Sequence, residues 1–132
     1  MKGLDNDKFT GTWYCTHWYP SKDDTSEDVT KNKMQAHVQG HELVLQSEPS
    51  EEGSYMLVRL GIDGNLATGT WHETTSPNGD FSGAMYSGAG QLLVSDDGTR
   101  LEGKWAGMGH DHSAKKAKIY TGRWLLSRTK DD

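Results

Sequence analysis

An all-β fold, an antiparallel up-and-down (meander) barrel of about eight or nine strands, is predicted by three observations. No window of about 11 residues carries apolar side chains at i, i+3, i+4 and i+7 without an intervening Gly or Pro, so the amphipathic-helix template fails along the chain. Short alternating segments occur instead, divided by turn dipeptides. Four of the five tryptophans follow a glycine by two residues, in Thr10-Gly11-Thr12-Trp13, Thr68-Gly69-Thr70-Trp71, Glu102-Gly103-Lys104-Trp105 and Thr121-Gly122-Arg123-Trp124. On a strand that spacing puts Gly and Trp on one face, where the glycine leaves room and the indole fills it. A long, twisted meander tends to curl and close on itself, which removes its open edges. A two-sheet sandwich is the structural alternative, but it needs longer crossovers than this sequence offers.

In order, the alternation gives strands at 9–19, 33–38, 42–47, 54–62, 66–74, 81–87, 91–95, 100–107 and 118–127. Gln39-Gly40, Asp63-Gly64-Asn65 and Asp97-Gly98 separate them as hairpin turns, because Asp-Gly and Asn-Gly pairs accept the positive φ such turns need. The segments around Pro49 and Pro77 read as longer loops. Gly88-Ala89-Gly90 reads as a bend between two strands. Two stretches, 20–32 and 108–117, are polar enough to read as loops, and 128–132 as a tail.

Length and composition bound the function. The 132 residues suffice for a single domain spanning 1–132. Hydrophobic residues are only 33%, so the core bulk falls to five Trp, five Tyr and two Phe. No apolar run approaches the roughly 18 residues of a membrane span. The polar first residues carry no signal-peptide core, which points to the cytoplasm. Cys15 is the single cysteine, which excludes an intramolecular disulfide and suits a reducing compartment. A net charge of −5 argues against duplex nucleic acid as a partner.

With Gly and Trp facing inward, parity assigns the interior. Phe9, Trp13, Cys15, His17 and Tyr19 come from the first strand, and Met56, Val58, Leu60 and Ile62 from the fourth, leaving Tyr55 and Arg59 outside. The fifth strand contributes Leu66 or Ala67, then Trp71 and Glu73. Phe81, Gly83, Met85 and Ser87 follow from the sixth, then Leu101 and Trp105, then Tyr120, Trp124 and Leu126. A few polar groups in an aromatic enclosure is the makeup of a small-molecule site. The candidate ligand-binding residues are therefore Trp13, Cys15, His17, Tyr19, Trp71, Glu73, Met85, Trp105, Tyr120 and Trp124. The expected partner is a small molecule, aromatic or nucleotide-like, bound non-covalently by a sensor or carrier; an oligomer is compatible with this. A buried Glu73 is costly unless it meets a partner such as His17 or looks into solvent at the barrel mouth. The bland alternative is a filled core with no ligand.

The Gly11-Thr12-Trp13 motif resembles the first-strand signature of calycin-type barrels, which include lipocalins and avidins. Thr10-Gly11-Thr12-Trp13-Tyr14 is similar to the opening strand of streptavidin-type proteins, and Trp124-Leu125-Leu126-Ser127 to another of their strands. The resemblance implies a calycin-like barrel and, on the lipocalin side, a late basic residue covering the first-strand Trp, a role open to Arg123 or Arg128. Cys15, Thr16, His17 and Trp18 stand where streptavidin-like proteins hold the ureido group of biotin with small hydrogen-bonding residues, so biotin is not expected. Lipocalins are also typically secreted and disulfide-bonded, unlike this reading. More loosely, the Gly/Trp-rich meander is similar to the barrels that sense cyclic oligonucleotides in bacterial CBASS antiphage defence, which would give Arg59, Arg100 and Arg123 a nucleotide to hold.

Other chemistry is less supported. His110 and His112 would share a strand face and could hold one divalent ion, but the segment reads as an exposed loop, so no metal is assigned. Cys15 with His17 two residues on could form a thiolate–imidazolium pair, against the commoner role of a lone buried cysteine as packing. His17 and Glu73 as base and acid would make a small barrel isomerase or cyclase. Absent a phosphate-cradling Gly-rich loop leading into a helix, no cofactor is expected.

Overall fold

Asp5 opens the first turn: its carboxylate accepts the backbone N–H of Asp7 at 3.0 Å and of Lys8 at 3.2 Å, the side-chain capping from which a helix starts. The computed structural model describes residues 5–20, 26–48, 55–74, 85–111 and 116–130, with 6, 108–111 and 116–118 described by backbone alone. A single short turn, α1 (Asn6–Phe9), is followed by Gly11 at φ 118°, which redirects the chain into the first strand. Phe9 thus belongs to α1 rather than to the strand the alternation suggested. It remains core, 5% exposed and stacked on Trp13.

The strands are β1 (Gly11–Pro20), β2 (Glu27–Gln39), β3 (Glu42–Ser47), β4 (Tyr55–Asp63), β5 (Leu66–Thr74), β6 (Met85–Val94), β7 (Arg100–Asp111) and β8 (Lys116–Ser127). Each pairs antiparallel with the next, and β8 returns to β1, closing a meander barrel of eight strands. Gly40 and Gly64 at φ 62° and Gly98 at φ 74° occupy the three expected turns. These turns define one end of the barrel. Pro20, Glu27, Thr74 and Met85, at the other strand termini, define the opposite end, which the described residues leave open.

The structure revises the sequence reading in three places. The strands expected at 81–87 and 91–95 are one continuous β6 through Gly88-Ala89-Gly90, so there are eight strands and not nine; residues 81–84 lie outside the described residues. Gly88 and Gly90 face inward, opposite Gly107 and Trp105. Their missing side chains are occupied by rings: a Cβ at Gly88 would come within 2.6 Å of Trp71, and one at Gly90 would overlap Trp124. They are docking points for indoles, not a bend.

Most of the expected loop at 20–32 is strand where it is described: Glu27–Lys31 belongs to β2 and pairs with β1 from Thr16 to Pro20. Ladder hydrogen bonds need no apolar side chains, and Glu27, Asp28 and Val29 lie exposed toward the open end. Likewise β7 continues to Asp111 and β8 starts at Lys116, with His110 opposite Ala117. The loop expected at 108–117 is therefore mostly a hairpin extension, with 112–115 outside the described residues.

Met85 is the third correction. It is 81% exposed, on the outer face, as is Ser87. Trp71 pairs with Gly88, and Glu73 with Tyr86, which fixes the even-numbered positions of β6 as inward. Elsewhere the parity holds: Met56, Val58, Leu60 and Ile62 are buried, as are Ala67, Leu101 and Leu126, while Tyr55 and Arg59 lie outside.

The turn end is sealed. Trp13 is 0% exposed and donates its indole N–H to Phe9 O at 2.8 Å. The Arg128 guanidinium lies 4.9 Å over its ring and donates to Lys8 O and Thr10 O, each at 3.0 Å. Below this cap Met34, Leu43, Leu45, Val58, Leu60, Leu92 and Leu101 fill the barrel.

Candidate functional site

At the open end, the interior changes from aliphatic to aromatic and polar. β1 brings His17, whose strand partners are Thr30 on β2 and Trp124 on β8. β5 brings Trp71 and Glu73, β6 brings Tyr86 opposite Glu73, and β7 brings Trp105. Tyr120 of β8 lies across Gly107, over which the Trp71 ring packs, and Tyr86 and Tyr120 are electrostatic neighbours. The indoles of Trp71 and Trp105 meet edge to face at 5.6 Å, and the imidazole of His17 lies edge-on to Trp105 at 6.4 Å. Tyr19 tilts against His17 at 5.5 Å, and its hydroxyl accepts from Thr30 Oγ1 at 3.1 Å.

Interior indole N–H groups are committed within the protein. Trp71 donates to Ala89 O at 3.2 Å, Trp105 to Trp18 O at 2.9 Å and Trp124 to Cys15 Sγ at 3.2 Å. These rings therefore have no free indole donor to offer. Polar capacity comes from other groups. His17 Nδ1 and Asn32 Nδ2 are both buried and find no hydrogen-bond partner among the described residues, a costly arrangement unless something else satisfies them.

His17 Nε2 lies 3.9 Å from Glu73 Oε2, with side chains 11% and 19% exposed. That is within ion-pair reach but too long for a hydrogen bond. Burial governs both groups. Desolvation pushes His17 down to about 4 and Glu73 up to about 7, so at neutral pH the imidazole is uncharged and the carboxyl sits near its midpoint. Burial thus disfavours the charged form of both partners. Tyr86 is raised by burial first, then by Glu73 and Tyr120.

The candidate residues divide accordingly. His17, Tyr19, Trp71, Glu73, Trp105 and Tyr120 come together at the open end. Trp13, Cys15 and Trp124 are packed out of solvent contact, at no more than 1% exposure, and support the site from below. Burial pushes the Cys15 thiol up to about 12, so no thiolate exists there to attack or pair with His17. Met85 is outside altogether. Tyr86, Thr30 and Asn32 were missed. Tyr86 could have been found by setting β6 parity from the Trp71–Gly88 contact; Thr30 and Asn32 stand out only once their polar segment pairs with β1.

The three arginines weighed for a nucleotide lie on the outer face. Arg59 is paired with Glu42, Arg100 with Glu102 at 3.1 Å, and Arg123 stacks 4.3 Å over Trp18. Among the described residues no three His, Cys, Asp or Glu side chains converge as metal ligands; His112 lies outside the described residues, so its pairing with His110 does too. Among the described residues no helix is long and apolar enough to cross a membrane. No protein-family model matches the chain, and no curated protein matches it in sequence.

Proposed function

We propose that this protein is a non-covalent small-molecule binder, an intracellular sensor or carrier whose calycin-like barrel takes its ligand at the ring-lined open end. The observation that carries this reading is unspent polar capacity: among the described residues His17 Nδ1 and Asn32 Nδ2 are buried without hydrogen-bond partners, His17 beside a desolvated Glu73 and Asn32 opposite Cys15. Folded proteins rarely leave such groups unsatisfied unless a water, ion or ligand completes them. Faces of Trp71 and Trp105 with the phenols of Tyr19, Tyr86 and Tyr120 suit a partly aromatic or apolar ligand. Support for the calycin-like type comes from the turn end, where Arg128 covers the first-strand Trp13 as that resemblance anticipates.

A screen of small aromatic compounds by thermal shift and intrinsic fluorescence tests the reading. Ligands should raise Tm with concentration, quench Trp emission, and lose affinity in Trp71→Leu and Tyr120→Ala. Ligands that bind both variants as they bind the parent chain overturn it.

One observation favours a second reading. A carboxyl pushed up to about 7 beside a neutral imidazole is also the pairing an acid–base enzyme uses. In that case a ligand would be turned over, and Glu73→Gln would abolish turnover while binding persists.

A further inference from the structure

We propose that the outer face of β5 and β6 is the interface through which two copies of this chain associate, side wall against side wall, with the open end of each barrel left free. This association does not depend on the open end taking a ligand.

Strand parity sets out the face. With Ala67, Trp71 and Glu73 turned inward, the outward positions of β5 run from Leu66 to Thr74, and those of β6 opposite them run from Leu93 to Met85. None of these outward positions is Asp, Glu, Lys or Arg. Charged residues make up 25% of the chain, and every other neighbouring pair of described strands presents at least one outward. Lys31 stands on β2, Glu42 on β3 and Arg59 on β4, with Lys104 on β7 and Arg123 on β8.

Apolar side chains gather on this face instead. Leu66 and Leu93 stand opposite each other at the turn end, 37% and 60% exposed. At the other end Met85, 81% exposed, is in line with Thr74 and with Tyr55 of β4. These are four of the six exposed large hydrophobic side chains among the described residues, so exposed apolar surface is concentrated here. Between the two ends the face is low. Thr70 lies opposite Ala89, Ala89 opposite Ala106 of β7, and Thr68 opposite Gly61 of β4. Small side chains there let a second sheet approach to the roughly 10 Å of face-to-face packing. Four strands about 4.8 Å apart and about 30 Å long give a footprint of roughly 600 Å², and side-chain relief brings it toward the roughly 800 Å² per partner of a standard interface.

Charge selects a second copy as the occupant. Two chains of net charge −5 repel each other unless they meet where neither is charged. In a contact that uses the same patch on both partners, a charge near the two-fold axis faces its own kind; this face has none to set there. Its flanks carry both signs, Arg59 and Asp63 on β4 and Lys104 and Glu102 on β7. An uncharged centre inside a neutral, charged rim is the anatomy of a protein interface that can meet itself. A strongly acidic or basic partner would find nothing at the centre to attract it.

Sedimentation velocity on the full chain tests this. The parent should sediment as a dimer at about 200 µM and dissociate on dilution. Thr70→Glu and Ala89→Arg put opposite charges at the centre of the face, at exposed positions. Each should raise the dimer dissociation constant about tenfold or more, with the far-UV circular dichroism of the parent. Gln46→Arg, exposed and outward on β3, should leave the constant unchanged. Raising NaCl from about 50 mM to about 500 mM should not weaken the dimer, since no charge holds its centre. A parent chain that is monomeric at about 200 µM overturns the inference. So does association that survives both central charges, an equal loss in Gln46→Arg, or dissociation by salt, which would mean that ion pairs elsewhere hold the copies.

Discussion

Replacing Glu73 with Gln keeps the side chain's size and removes its ionisation, and the pH dependence of stability then separates two opposed terms. Folding raises Glu73 from 4.5 to about 7. The native state therefore binds the extra proton, and this contribution is full below pH 4.5 and lost as pH rises through 7. Folding lowers His17 from 6.5 to about 4. Here the unfolded chain binds the extra proton, so the contribution is full above pH 6.5 and lost as pH falls through 4. Each slope is about 1.4 kcal/mol per pH unit. Between about pH 4.5 and 6.5 they cancel, and the parent chain shows little slope from this pair. Glu73→Gln leaves only the His17 term. Its stability relative to the parent should rise by up to about 3 kcal/mol between pH 4.5 and 7. Urea unfolding across that range, with m held constant, measures the difference directly. A difference that falls with rising pH would refute the reasoning, because it would mean that His17 and Glu73 form a true ion pair that holds the carboxyl below its ordinary value.

Further predictions follow from the packing. His17→Gln should show the mirror image: only the Glu73 contribution remains, so its stability relative to the parent should fall by up to about 3 kcal/mol as pH rises from about 4 to 6.5 in the same assay. Gly90→Ala places a methyl group in the Trp124 ring and should cost about 1–3 kcal/mol or more, whereas Gly61→Ala, whose Cβ would meet only Thr68 O at 3.7 Å, should be nearly neutral by thermal unfolding. Arg128→Ala removes two hydrogen bonds and the cover over Trp13, and should lower stability by about 1–3 kcal/mol. Cys15 should react with thiol reagents only at the rate of unfolding; rapid alkylation of the native chain would contradict its burial.

Barrel closure and most of the inner face were legible because they follow from local chemistry. The four Gly-x-Trp tetrads mark where indoles plug the interior, and Gly40, Gly64 and Gly98 mark the turns. What was not legible depends on strand register. Gly88 and Gly90 look like a bend until Trp71 and Trp124 are seen lying over them, and misreading them shifted the sixth strand by one residue, exchanging Tyr86 for Met85. Glu27–Lys31 lacks the apolar alternation of a strand because it extends β2 beside β1 with its side chains largely in solvent. Thr30 and Asn32 gained meaning only as partners of His17 and Cys15. His17 was legible as a partner for a buried Glu73, but the 3.9 Å between them depends on β1 and β5 facing each other across the closed barrel, which sequence spacing alone does not specify.

Most directly, the account can be tested by the carboxyl carbon shift of Glu73 followed by NMR through a pH titration of the ligand-free chain. A midpoint near 7 is the predicted result. A midpoint at or below 4.5, the ordinary value for a glutamate, would mean that the chain already compensates this carboxyl, and would contradict the desolvated polar site on which the binding reading rests.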